Sequence, residues 1–256
     1  MILRRLADAI RGQNWFTVAL EILIVVVGIF VGLQVNDWNE ARIDQGLETR
    51  YLERLHADLL TDLGRMDRAV DVANIRMQQV ELLLDGVADP EVAASQPNQF
   101  IEAVEKAAWG SYRPLTPNAY SELVSTGRTT LIRSESIRDA LTKYYARIGY
   151  WDRIMNQASF EHEYSMAIAG VLDIDYVAKI EESGPQSGLA DLGAERGDAI
   201  FIAEQLKSRL QGIRLLPMIY KSHILVKDVV TVEHRERNEA LQIAIEKQLK
   251  GRRDNP

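Results

Sequence analysis

Phe16–Val35 reads FTVALEILIVVVGIFVGLQV, and the interpretation of this stretch decides the fold. It holds one carboxylate, Glu21, and one amide, Gln34, among side chains that are otherwise apolar or small. Twenty helical residues at ~1.5 Å each reach ~30 Å, the thickness of a bilayer's hydrocarbon core. The stretch is therefore predicted to span a membrane. Trp15 precedes it and Trp38 follows three residues after it, where the two aqueous interfaces would lie and where indoles favour the headgroup region. A buried core helix would need apolar protein on every side of Ile22 to Leu33. A cleaved signal peptide fits poorly: the apolar run is too long, no small-x-small site lies in GLQVNDWN (Gly32 to Asn39), and Arg4 and Arg5 lack the rest of a twin-arginine signal. The expected organisation is a cytoplasmic basic segment at 1–15, a transmembrane helix at 16–35 and an extracytoplasmic helical bundle at 36–256.

Orientation follows from charge. Arg4, Arg5 and Arg11 stand before the span against Asp8, whereas Asp37, Glu40, Asp44 and Glu48 outnumber Arg42 and Arg50 after it. The positive-inside bias puts the N-terminus in the cytoplasm and the C-terminal domain outside the cytoplasmic (inner) membrane, in the periplasm. Within the span, Glu21, Val25, Gly28, Gly32 and Val35 fall on one stripe at 100° per residue, and Gly28 with Gly32 has the spacing that lets two helices approach closely. Two readings stay open for Glu21: a self-association seam in which it is protonated or hydrogen-bonded between protomers, or a carboxylate reaching headgroups or Arg11.

The net charge of −7 argues against a phosphate-binding surface, so no nucleic-acid partner is expected. Lys247, Lys250, Arg252 and Arg253 read as a solvated helix end. There is no cysteine, hence no disulfide, thiolate metal site or thiol nucleophile.

Beyond the span every strong pattern is helical. Either the spanning helix continues past Leu33, or it breaks at Asn36 or Asp37. Ile43, Leu47, Tyr51, Leu55, Leu59, Leu63, Met66, Val70, Ala73, Met77, Val80 and Leu84 form one stripe with a mean spacing near an eleven-residue repeat, ended by Gly86 and Pro90. Pro97 to Trp109 is a second helix. Thr116 and Pro117 open a two-turn helix closed by Gly127, and Ser136 with Asp139 has the form of a capping box starting a long helix that ends near Gly170. In that helix Ile137, Leu141, Tyr144, Ile148, Trp151, Met155, Ala158 and His162 line a coiled-coil-like seam. Asp173 to Gly197 reads as a loose connection. Asp198 caps the final helical stretch, which kinks or breaks at Pro217. The predicted fold class is all-α: one N-terminal transmembrane helix followed by an elongated bundle.

Glu53 and His56 have the Glu-x-x-His spacing of di-iron bundles, but the second copy such a site needs is lacking. Glu161, His162 and Glu163 point to different faces, with His162 expected as a core histidine. His223 and His234 have no partner at ligand spacing. No P-loop, dinucleotide fingerprint or nucleophile elbow occurs, so no enzyme, cofactor or metal is expected.

The run EILIVVVGIFVGLQVNDWNEARI, Glu21 to Ile43, resembles the signature of a family of bacterial membrane proteins of unknown function, in which one N-terminal span ends in a Leu-Gln-aliphatic-Asn-x-Trp-Asn-Glu segment. Glu21, Gln34, Asn36, Trp38, Asn39 and Glu40 match it, and Asp37 stands where Asn is common. AYSELVSTGRTTLIRSESIRDALTKYY, Ala119 to Tyr145, is similar to that family's middle region. The resemblance implies the architecture and carries no reaction, ligand or catalytic residue. The function expected is a membrane-anchored interaction, sensing or scaffold module, partnered by lipid and by copies of itself or another membrane protein, with any small-molecule ligand unknown. The alternative is an accessory subunit of a transport or energy-coupling complex that handles protons through Glu21; replacing Glu21 by Gln separates the two.

Overall fold

The computed structural model describes residues 15–111, 115, 117–157, 160–184 and 191–253. The basic segment with Arg4, Arg5 and Arg11 lies outside them, as do Thr116, Ala158, Pro185 and Gly188. No strand occurs among the described residues, so the fold is all-helical as expected. The chain divides into two compact units, Met1–Tyr51 and Leu52–Pro256.

Helix α1, Trp15–Ala88, is continuous. No break occurs at Asn36 or Asp37: Asn36 Nδ2 donates to Glu40 Oε1 at 3.1 Å, one turn on, so it supports the helix instead of capping a new one. In the second unit Leu52, Leu55, Leu59, Asp62, Met66, Ala69, Ala73, Arg76, Val80, Leu83 and Val87 form its main buried line, with Val72 buried beside it. Their spacings alternate three and four, which is a heptad seam and not the eleven-residue drift expected. Two polar members, Asp62 and Arg76, hide that register from a hydrophobic reading. Leu84, on the expected stripe, is exposed instead. Gly86 does not end the helix. It lies within α1 where a Cβ would collide with the Phe100 ring, so its role is close packing.

Asp89 caps α2 (Pro90–Ser95), accepting from Glu91 N, and α3 follows at Pro97–Lys106. The first turn of α4 (Asn118–Ser125) is capped from a distance: Ala119 N donates to Asp58 Oδ2 of α1 at 2.8 Å. A 3-10 turn at Thr129–Leu131 leads to α5, Glu135–Gln157. Its cap is Ser134, whose Oγ accepts from Ile137 N, and not Ser136. The helix stops well short of Gly170, and a separate α6 spans Glu161–Ala167. The changed register turns Tyr164 and Ile168 inward and leaves His162 exposed, so His162 is no core histidine.

Within the stretch from Asp173 to Gly197, the described residues are more ordered than a loose connection: Asp173 caps α7 (Ile174–Ser183), and Ile180 and Leu192 are buried, while Pro185 and Gly188 lie outside the described residues. In α8 (Arg196–Ser208) Asp198 is the third helical residue, where it accepts from Glu195 N as one half of a capping box. Of the kink or break expected at Pro217, the break does not occur; the helical stretch is interrupted at Arg209. Helix α9, Leu210–Asp228, runs through Pro217 with Leu216 and Ile219 buried beside it, and that packing offsets the missing N–H bond. A π-helical segment, Val229–Arg235, joins α9 to α10, Glu236–Arg253.

The core of the second unit has two parts. Val80, Phe100, Val104, Ile180, Leu206 and Leu216 bring α1, α3, α7, α8 and α9 together. Around α1, α4, α5 and α10, Leu59, Leu123, Leu141, Tyr144 and Ile245 are buried, and Asn238 Nδ2 donates both to Leu59 O (3.1 Å) and to Tyr144 Oη (2.9 Å). Burying large aliphatic and aromatic side chains, each worth ~1.5–3 kcal/mol, holds a fold that has no cysteine.

Candidate functional site

In the first unit the residues marked by sequence lie along one helix. Glu21, Val25, Gly28, Gly32, Gln34, Asn36, Trp38, Asn39 and Glu40 are all exposed on α1, which starts at Trp15. A Cβ at Gly28 or Gly32 would meet nothing within 4 Å, so the small-residue face is open. None of the residues in the most apolar window of this helix is buried.

The second unit holds a polar centre that sequence reasoning missed. Lys106 is buried, yet each proton of its ammonium has an acceptor: Glu102 Oε1 at 2.7 Å, Ser183 Oγ at 2.8 Å and Gly184 O at 2.9 Å. Full satisfaction of the three donors makes a buried lysine tolerable. Arg76, also buried, donates to Gln79 Oε1 and lies 5.6 Å from the Trp109 ring centre, as does Lys106 Nζ. Burial lowers the Arg76 guanidinium to about 10, against the opposing pull of Glu102 and Glu161. Glu105 is shifted the other way, raised by burial and then by the charges of Glu181 and Glu161.

Beside this centre the loop after α3 meets α9. His223 Nε2 lies 3.0 Å from Ala107 O, and its Nδ1 lies 3.0 Å from Ser111 Oγ. Burial holds His223 below its ordinary pKa, the backbone carbonyl opposes that shift, and Arg76 adds to it. A cleft of about 210 Å³ opens here, lined by the apolar Met155, Phe160, Ile219 and Val226 and the polar Ser111, Asn156, Glu161, Ser222 and His223.

A third polar group sits on the π-helical segment. Arg147 Nε and Nη2 donate to the two oxygens of Glu233 at 2.5 and 2.9 Å, and Trp151 Nε1 donates to Oε2 at 3.0 Å. The guanidinium also lies over the Tyr150 and Trp151 rings. These bonds, Arg147's first, lower the Glu233 carboxyl to about 2. Neighbouring His234 is fully buried, neither ring nitrogen is hydrogen-bonded among the described residues, and burial lowers it to about 4.

No group of three or more metal-ligating side chains occurs among the described residues. His56 bonds Glu246 Oε1 at 3.0 Å while Glu53 is exposed, and Glu161 instead accepts from Gly110 N.

These features define an all-helical protein in which one helix near the N-terminus is long and apolar enough to cross a membrane, consistent with a single-pass membrane protein. The pattern of the family described as "Family of unknown function (DUF6090)" matches residues 21–168, more than half of the sequence, and the chain belongs to that family. No curated protein matches the chain, and no solved structure matches it.

Proposed function

We propose that the protein is a membrane-anchored helical interaction and sensing module, held by the N-terminal part of α1 in the cytoplasmic membrane with its second unit in the periplasm, and that it associates with copies of itself. The observation that carries the reading is the apolar window of α1, of which no residue is buried by the rest of the chain. In water such a surface would cost ~25 cal/mol for every Å² exposed; in a bilayer it costs nothing. Glu21, Gly28 and Gly32 share one open face of that helix, which supports close helix–helix approach with the carboxylate facing a partner and not lipid.

Three measurements on the full chain test this. The protein is expected to pellet with membranes in ultracentrifugation and to require detergent for release, and a reporter fused after Pro256 is expected to behave as exported. Crosslinking in native membrane is expected to capture oligomers that Gly28→Ile and Gly32→Ile weaken. Soluble protein would remove the anchor, and a strictly monomeric species would remove the association.

A further inference from the structure

We propose that the cleft bounded by α5, α6, α9 and the loop after α3 binds a small primary ammonium compound with an apolar tail. The argument is an account of hydrogen-bond donors. Gly110 N–H is given to Glu161 Oε2 at 3.3 Å, and Ser222 O–H to Ile219 O at 2.7 Å. Because a carbonyl only accepts, the bond from His223 Nε2 to Ala107 O fixes the ring proton on Nε2. Burial keeps the ring neutral, so Nδ1 is bare and the Ser111 hydroxyl, itself buried, must donate to it.

Four donors on the wall of the cleft are thus already engaged, and the same side chains still offer lone pairs: those of Ser111 Oγ, Ser222 Oγ and the second oxygen of Glu161. Three acceptors with one formal negative charge are the complement of an –NH3⁺ group with its three protons. Asn156 on the same wall can donate or accept, so it is the Glu161 carboxylate that favours a cation over an anion. Met155, Phe160, Ile219 and Val226 supply apolar lining for the rest of the ligand. At about 210 Å³ the cleft is smaller than the ~300–1,000 Å³ of drug-sized sites, which sets the ligand's size. All its lining residues belong to the second unit, so the inference stands whether or not the membrane reading does.

The test is calorimetric titration of the full chain in detergent micelles with phenethylammonium, alongside 2-phenylethanol and phenylacetate as neutral and anionic counterparts. Phenethylammonium is expected to bind, the other two to fail at the same concentration, and Glu161→Gln to weaken binding by ~10-fold or more, the loss of a charge-assisted bond. The amide of that variant retains a carbonyl for Gly110 N–H, so an unchanged melting curve is expected to accompany the loss. Should that variant not fold, Ser222→Ala removes a different acceptor and is expected to weaken binding by about threefold. Equal binding of the alcohol, undiminished binding by a folded variant, or no binding of phenethylammonium at millimolar concentration would overturn the proposal.

Discussion

A buried histidine whose two ring nitrogens find no partner among the described residues is a conditional element of stability. His234 is such a residue, with Glu233 and Arg237 on its own stretch and Arg147 from α5 as the charges acting on it. Its folded-state value of about 4 lies below the 6.5 of the free side chain, burial being the main cause. As pH falls the unfolded chain takes up the proton first. The stability that neutral His234 allows is therefore complete above about pH 6.5 and is lost progressively towards pH 4, on the order of 1–3 kcal/mol. His223, lowered in the same direction, adds to that slope. Glu233 acts in a lower window: lowered to about 2 from 4.5, it stabilises above pH 4.5 and loses that effect as pH falls towards 2. Denaturant melts between pH 7 and pH 4.5 are expected to show the wild type weakening and His234→Leu weakening less, with the variant at least as stable at neutral pH. Parallel curves would show that His234 is not the group responsible.

At the scale of elements, the crossing of α1 with α3 depends on one missing Cβ. Gly86→Ala would place a carbon in collision with Phe100 Cε2, 2.9 Å from Cδ2 of the same ring and 3.1 Å from Ala93 Cβ, and Phe100 is wholly buried. Overpacking of this kind costs ~1–3 kcal/mol. Gly64→Ala is the contrasting case on the same helix. Its Cβ would meet only Arg68 Nη1 at 3.6 Å, so the gain in helix propensity, up to ~1 kcal/mol, is expected to dominate. Thermal melts should move down for the first and up for the second; the same shift for both would refute the close crossing. Sequence cannot tell a glycine that ends a helix from one that admits a neighbour, which is why Gly86 next to Pro90 reads as a stop. What was legible was local. The inward side of α5 and the existence of α1 follow from side chains three and four apart. The cap of α4 by Asp58, 61 residues before its partner, and the Ser111–His223 pair, 112 residues apart, leave no local trace. Nor does the π-helical segment, whose residue types fit an α-helix equally well.

At the scale of the whole molecule, the apolar helix was legible because hydrocarbon demands length and composition alone, whereas the cleft was not, because it needs three helices and a loop folded together. The remaining question is what Glu21 does. An ionised carboxylate facing lipid costs several kcal/mol, so under the self-association reading it meets a hydrogen-bond partner on another copy. Glutamine preserves that bond and leucine does not. Crosslinked oligomers are therefore expected to persist in Glu21→Gln and to decline in Glu21→Leu, as they decline when Gly28 or Gly32 is enlarged. Interhelical bonds of this kind are worth ~0.6–2 kcal/mol, so the decline should be about 3- to 30-fold in the association constant. Undiminished oligomers in Glu21→Leu would detach the carboxylate from the seam. Its place on the same stripe as the two glycines would then be incidental, and proton handling, which needs an ionisable side chain and not merely a polar one, would become the better account of Glu21.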